Sequence, residues 1–405
     1  LFSLIPLFLI TGPFLSDFSI SLIVIIFLTY CVKKKNFSYF RNRYFYFFLI
    51  FWIYLILNSL INNFNIDSLK ISFFYFRYGV FIIAMVSLIE FDEKIIKFFF
   101  YCVLLCFAAL IIDGFYQYFI GENIFGWKNI SDYRVSSFFG DELILGSYLS
   151  RLWPIFFGLS IYLFKNKDKL FILFISIFIL SEVLIFLSGE RVAFFYINLS
   201  AIFVILFSHK LLKLRLITLG ISLMIIVLVS LMYPAAKERV INQTINQMNL
   251  FNENKMENSG PYIFSKQHTH HYISAYRMFL DNKILGVGVK NFRNFCNEEQ
   301  YLISNVSCST HPHNSYIQVL AELGIIGFLF LILAFISFCY TAIKHFFYKL
   351  NNRHYFNDFE ICILSGILIF LWPLVPTGNI FNNWLNIILI LNLVFFIWSR
   401  KKTII

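Results

Sequence analysis

The run Thr310-His311-Pro312-His313-Asn314-Ser315 carries the most reactive chemistry in the chain. An imidazole titrates near neutrality and can take up or release a proton there, and His313 stands here with His311 two residues before it. Two isolated arginines suggest a second role. Arg191 stands in Ser188-Gly189-Glu190-Arg191-Val192-Ala193, a tight turn between two apolar runs with almost nothing else polar in it. Arg277 stands in His268-Thr269-His270-His271-Tyr272-Ile273-Ser274-Ala275-Tyr276-Arg277-Met278-Phe279-Leu280. A guanidinium stays charged and binds phosphate oxygens in pairs, so it suits a site that must never lose its cation. An arginine at mid-bilayer depth costs on the order of 2.5–3.5 kcal/mol, less near the surface. Either Glu190 or an anionic ligand must offset that cost at Arg191. Histidines 268, 270, 271, 311 and 313, with Cys308 near, also raise a metal site. Imidazoles two residues apart do not share a helix face and no acidic partner is obvious, so no metal is expected.

The elements that position these residues are apolar. The chain has 405 residues, 59% hydrophobic and only 14% charged, with a mean hydropathy of +0.75. No soluble core absorbs that much apolar surface, so the expected class is an all-α polytopic membrane protein. Apolar runs at roughly 1–14, 17–32, 44–61, 70–89, 95–119, 142–164, 170–187, 191–208, 214–233, 315–342, 359–376 and 380–398 predict about twelve spans. The first two are short enough to be a hairpin or partly re-entrant. Basic clusters at Lys33 to Lys35 with Arg41 and Arg43, Lys165 to Lys169, His209 to Arg215, Lys344 to Arg353 and Arg400 to Lys402 all fall on one side if the count is twelve. Both termini are then cytoplasmic, and 234–314 is a long loop on the outer side. The division expected is 1–233 as an N-terminal bundle of about nine spans, 234–314 as a loop subdomain with short amphipathic helices, and 315–405 as about three spans with a cytoplasmic tail. Within the loop, 242–260 reads as a flexible, Asn- and Gln-rich lid. Ile273, Tyr276, Arg277 and Leu280 share one face of a helix expected at the membrane interface. The helix from Ser315 is expected to run unbroken, with Gly324 and Gly327 letting a neighbouring helix approach closely.

The net charge of +11 is spread over short clusters that abut apolar runs, so no nucleic-acid partner is expected. Of seven cysteines only Cys296 and Cys308 fall in the outer loop, where an oxidising compartment would favour their disulfide. Leu1 stands inside an apolar run, which leaves open whether the N-terminus is complete. No separate cleavable signal is seen, and the first spans would do the targeting.

His313-Asn314, nine residues and then Gly324-Ile325-Ile326-Gly327 resembles the signature of the O-antigen ligase and polymerase superfamily. Ser188-Gly189-Glu190-Arg191 resembles its Ser-Gly-x-Arg motif closely. Arg277 to Phe292, with Gly286-Val287-Gly288, resembles its Arg-bearing helix, short turn and Gly-x-Gly-x-x-x-Phe. Tyr133-Arg134-Val135-Ser136-Ser137 is similar to an Arg-x-x-Gly segment before the sixth span, with Ser where Gly is more usual. The resemblance covers roughly 130–330 with motifs.

It implies a glycosyltransferase of the bacterial inner membrane with its active site on the periplasmic side. The reaction implied moves an oligosaccharide, with inversion and without metal or other cofactor, from undecaprenyl pyrophosphate to lipid A–core. His313 would be the base, and Arg191 and Arg277 the pyrophosphate ligands. Asn314, Arg134, Arg77, Tyr276 and His311 would serve as substrate-binding residues. The same donor would serve an O-antigen polymerase or a protein O-oligosaccharyltransferase, so another glycan or a protein remains an alternative acceptor. The rival from another class, a transporter or flippase for a lipid-linked sugar, would want charges in mid-span cavities or an inverted repeat. Neither is evident in the sequence.

Overall fold

The structure is a computed structural model that describes residues 1–62, 65–129, 134–164, 168–249 and 261–404. It is helical throughout. A 3₁₀ turn at Phe2–Leu4 leads into α1 (Ile5–Thr11), α2 (Pro13–Lys34), α3 (Arg43–Ile61), α4 (Ile66–Phe74), α5 (Phe76–Phe91) and α6 (Lys94–Ile120). Then follow α7 (Leu145–Phe164), α8 (Asp168–Leu187), α9 (Arg191–Phe207) and α10 (Leu212–Met232). Short pieces α11 (Ala235–Lys237) and α12 (Gln243–Gln247) precede α13 (Lys266–Asp281) and α14 (Phe292–Phe295). The chain closes with α15 (Ser315–Leu350), α16 (Asp358–Leu371) and α17 (Asn383–Ile404). In lipid every backbone N–H and C=O must be satisfied internally, which is why apolar runs of this length become helices.

Each of the twelve apolar runs contains a helix, but among the described residues seven helical stretches are long and apolar enough to cross a membrane. They are α2, α3, α4 with α5, α6, α10, α15 and α17. The stretches Phe2–Thr11, Leu173–Leu187 and Arg191–Phe207 are apolar but shorter. α7 and α16 lie at the centre of the bundle and are buried almost all round. Pro154 of α7 packs at Gly366 of α16, and Gly158 of α7 accepts Cys362 and Phe359. Around them Phe99, Phe100, Phe107, Phe156, Phe157 and Phe178 interdigitate. Leu216, Ile217, Met224, Val227, Leu231 and Met232 of α10 face outward, the inverse of a soluble helix.

The short α1 turns back into α2 at Gly12, whose φ of 121° suits glycine. Its backbone carbonyls find partners on other helices, the Tyr148 hydroxyl donating to Pro6 (2.8 Å) and the Trp384 indole to Leu9 (3.1 Å).

Three expectations are corrected. α15 is not continuous: Gly324 has φ 62° and ψ −163°, which breaks the helix. What approaches there is not a helix but the loop at Ile284 and Gly286, while at Gly327 the nearest atoms belong to Leu323 of α15 itself. The run 359–376 stops being helical at Leu371, where Pro373 and Pro376 remove two donors. Arg215 is not in a basic loop. It lies fully buried in α10, 2.5 Å from the Glu182 carboxylate of α8 and over the Trp153 ring of α7.

Candidate active site

His313 lies just before α15, in a left-handed backbone conformation (φ 56°) that a β-substituted residue adopts only under constraint. The constraint comes from both sides. Asn314 caps α15, its side-chain oxygen accepting from the N–H groups of Tyr316 (3.0 Å) and Ile317 (3.1 Å). Its amide donates to the Pro373 carbonyl at 2.8 Å. The His313 carbonyl accepts from Thr377 N–H at 2.8 Å, and Ser315 shares a hydrogen bond with the Thr377 hydroxyl at 2.8 Å. The non-helical stretch after α16 is thus stapled along the start of α15 and forms one wall of the site. Cys296 and Cys308 are joined by a disulfide, with Cα atoms 5.0 Å apart. Arg293 donates to the Thr310 carbonyl at 3.2 Å, so the run into His313 is tied down twice more.

Three imidazoles surround the His313 ring. His311 is 4.2 Å away centre to centre, His271 5.2 Å and nearly parallel, and His268 5.5 Å. His268 and His271 are one turn apart on α13, which is why they converge where an i, i+2 pair would not. Ser265 caps α13 and fixes the His268 ring through Nδ1 at 2.7 Å. His311 Nε2 donates to the Thr377 carbonyl at 3.2 Å, leaving Nδ1 to accept from the Thr310 hydroxyl at 3.0 Å. Burial, and then the neighbouring imidazoles, push the pKa of His268 and His271 down to about 4 and that of His311 to about 3. Burial also lowers that of His313. The four rings are neutral near pH 7. Among the described residues no group of three or more His, Cys, Asp or Glu side chains is placed to hold a metal ion.

Arg191 opens α9, reaching toward this cluster closely enough for its charge to act on His268. Glu190 does not neutralise it. The Glu190 carboxylate instead accepts from the N–H groups of Gly146 (2.6 Å) and Ser147 (3.0 Å) and so caps the first turn of α7. Burial raises the Glu190 pKa to about 7, against those hydrogen bonds and the Arg134 charge. Arg191 donates Nε to the Arg239 carbonyl (3.1 Å) and one terminal nitrogen to Gln247 (2.8 Å), and its other terminal nitrogen has no partner. Arg134 and Arg239 are near enough for their charges to repel that of Arg191. Each keeps a buried Nε without a partner. Burial lowers the pKa of both, and at Arg134 the Arg239 charge adds to that while Glu190 opposes it. Three guanidinia held together with unused donors have the charge and the hydrogen-bonding capacity that a multiply charged anion requires.

The break at Gly324 lets α13 and the following loop lock onto α15. Val287 and Gly288 donate to the Ala321 and Glu322 carbonyls at 2.9 and 2.8 Å, and Ile325 donates to the Lys283 carbonyl at 2.9 Å. The buried Glu322 carboxylate accepts from Lys290 N–H (3.1 Å), Phe292 N–H (3.2 Å) and the Gln318 amide (3.0 Å). Backbone groups freed by the break are therefore re-satisfied by the Gly-x-Gly loop.

Of the residues singled out from the sequence, the structure brings together His313, His311, Arg191 and Arg134, with Asn314 holding the backbone beneath them. Arg277 and Tyr276 are exposed on the face of α13 turned away from His313, and Arg277 donates to the Gln300 carbonyl at 3.4 Å. Arg77 is paired with Asp17 of α2 at 2.7 Å. Tyr133 and residues 250–260 of the expected lid lie outside the described residues. Arg239 was not foreseen, because nothing local links it to an arginine 48 positions earlier. Ser137, at the place where the resembled motif has Gly, takes the positive φ (51°) that glycine would favour.

A helical membrane protein with an imidazole cluster and an arginine triad at one end of its bundle is the class that fold and site define. Residues 174–332 match the family model described as O-Antigen ligase, and this match supports the O-antigen ligase superfamily for the chain. The matched residues include Arg191, Arg239, His268, His271, Arg277 and His313, and end within α15, beyond Gly324 and Gly327. No curated protein matches the chain.

Proposed function

We propose that this protein transfers an oligosaccharide from undecaprenyl pyrophosphate to lipid A–core at the periplasmic face of the inner membrane. The observation that carries the reading is the packing of His313 on His268, on which the Arg191 charge acts, together with donors of Arg191, Arg134 and Arg239 that the protein leaves unused. In the proposed reaction an acceptor hydroxyl attacks the anomeric carbon. Its proton passes to His313, the carbon–oxygen bond to the phosphate breaks, and undecaprenyl pyrophosphate departs with the bonding electrons. Arg191, Arg134 and Arg239 hold the leaving anion by charge and directed hydrogen bonds, without a metal. Arg277 would act as a further ligand only after α13 turned. His313 and Arg191 stand at the N-terminal ends of α15 and α9, whose other ends meet the basic residues Lys344 to Arg353 and Lys210 to Lys213, and a basic cytoplasmic side leaves the site on the outer one.

The test is a host that lacks its own O-antigen ligase but supplies lipid-linked O-antigen. Expression of the chain should cap lipopolysaccharide into a ladder on a gel, and the His313→Ala protein should not. No ladder from stably expressed wild type would overturn the acceptor assignment and move a polymerase or protein glycosyltransferase ahead. A ladder from both proteins would remove His313 as base. A flippase would survive the substitution.

A further inference from the structure

Arg151 stands on the second turn of α7, beneath the turn capped by Glu190, and only 5% of it is exposed. No carboxylate among the described residues pairs with it. Its guanidinium is sandwiched by the rings of Tyr196 of α9 (4.6 Å) and Phe370 of α16 (4.9 Å), and its Nε is buried with no hydrogen-bond partner. Stacking on two rings is worth about 0.5–2 kcal/mol each, short of what an unpaired buried cation costs. Two more orphaned donors lie nearby. The Tyr272 hydroxyl, on α13 with its ring 6.3 Å from that of His268, has no partner, and neither has the indole N–H of Trp372, which packs against the Tyr196 cluster. The terminal nitrogens of Arg151 reach Tyr196, but its Nε, the Trp372 indole N–H and the Tyr272 hydroxyl are buried and lack an acceptor. An unpaired donor of this kind is rare in a folded interior, and several together point to a ligand.

We infer that Arg151, with Tyr272 and Trp372, forms a second phosphate subsite below the arginine triad, which takes the lipid-side phosphate of a prenyl diphosphate. The inference rests on the donor reading given above. The sugar-side phosphate lies among Arg134, Arg191 and Arg239. Arg151 is thus a positioning residue that sets how deep the donor sits and so where its anomeric carbon meets His313.

The experiment uses the full chain in lipid nanodiscs and measures binding of undecaprenyl diphosphate, undecaprenyl monophosphate and the uncharged prenyl alcohol. The monophosphate reaches only the lower subsite. Arg151→Gln should therefore weaken both phosphorylated lipids by roughly tenfold or more, whereas Arg191→Gln should weaken the diphosphate alone. Arg151→Lys should recover part of the loss, since it keeps the charge. Tyr272→Phe, which removes one hydroxyl and leaves the packing, should cost several-fold on both lipids and keeps the test alive if Arg151→Gln does not fold. Unchanged binding of both lipids by folded Arg151→Gln, or by Tyr272→Phe where that is the only folded variant, would overturn the subsite and leave Arg151 as a strut between helices. Equal binding of all three lipids by wild type would instead overturn the donor reading itself.

Discussion

At the scale of single residues, a buried imidazole of lowered pKa is a weaker base than a solvated one, but it stands unprotonated and available to accept a proton at neutral pH. Burial lowers the His313 pKa, so the basic form persists below the ordinary histidine value. With donor and acceptor saturating, transfer by wild type should keep more than half of its pH 8 rate at about pH 6.5 and pass its half-point only at more acid pH. A rate already halved at pH 6.5 would contradict this. His313→Ala should lose roughly 10²–10⁴-fold in turnover. The neighbouring rings bear on stability rather than rate. Since His268 and His271 titrate at about 4 and His311 at about 3 when folded, the unfolded chain takes up protons first. Their contribution to stability is complete above about pH 6.5 and is lost as pH falls from there toward 4. Thermal unfolding followed at pH 7.5 and 5 should show the drop, and it should shrink in a His268→Gln/His271→Gln protein.

At the scale of elements, the site depends on a helix that stops being one. Gly324 has a positive φ and no room for a side chain, because a Cβ there would strike the backbone at Ile284 and Gly286. Gly324→Ala should cost at least about 1–2 kcal/mol from the left-handed backbone alone. It should also loosen the Val287 and Gly288 hydrogen bonds to Ala321 and Glu322. The expected readout is faster proteolysis within 283–292 and lost transfer activity, with α15 still inserted. Intact protection would mean that the loop is held elsewhere. How legible this was from sequence depends on the range of the interaction. Ser188 to Arg191, the His313 run and the Gly-x-Gly loop each stand out locally, because Gly, Pro, His and Arg are conspicuous against apolar surroundings. That the loop plugs the break in α15, that α13 turns His268 and His271 rather than Arg277 toward His313, and that Arg239 joins Arg191 are contacts between distant segments. Spacing within any one segment carries no trace of them. The face of α13 bearing Ile273, Tyr276 and Leu280 is exposed, as periodicity predicts, but which face meets the site is decided by packing on α15.

At the scale of the whole molecule, sequence reading placed the helices well and the charges less well. Apolar length is a one-dimensional property, so all twelve runs recur as helical segments. Whether a cation lies in a loop or inside the bundle is not, and Arg215 shows the difference. Read along the chain it continues the basic cluster at His209 to Lys213. In the fold it is enclosed between α7, α8 and α10, with Glu182 and the Ser222 hydroxyl completing the network. Two ions taken out of water cost several kcal/mol each, and their attraction repays this only while both are present. Glu182→Gln should therefore destabilise the bundle by about 3–5 kcal/mol, by leaving Arg215 buried and unpaired. Glu182→Gln with Arg215→Met should be markedly milder, since no buried charge remains. The comparison is made by chemical denaturation of both proteins in the same detergent. If the double variant were as unstable as the single one, the pair would be holding α8 to α10 by its net attraction, and the helix packing around it would be weaker than the buried aromatic core implies.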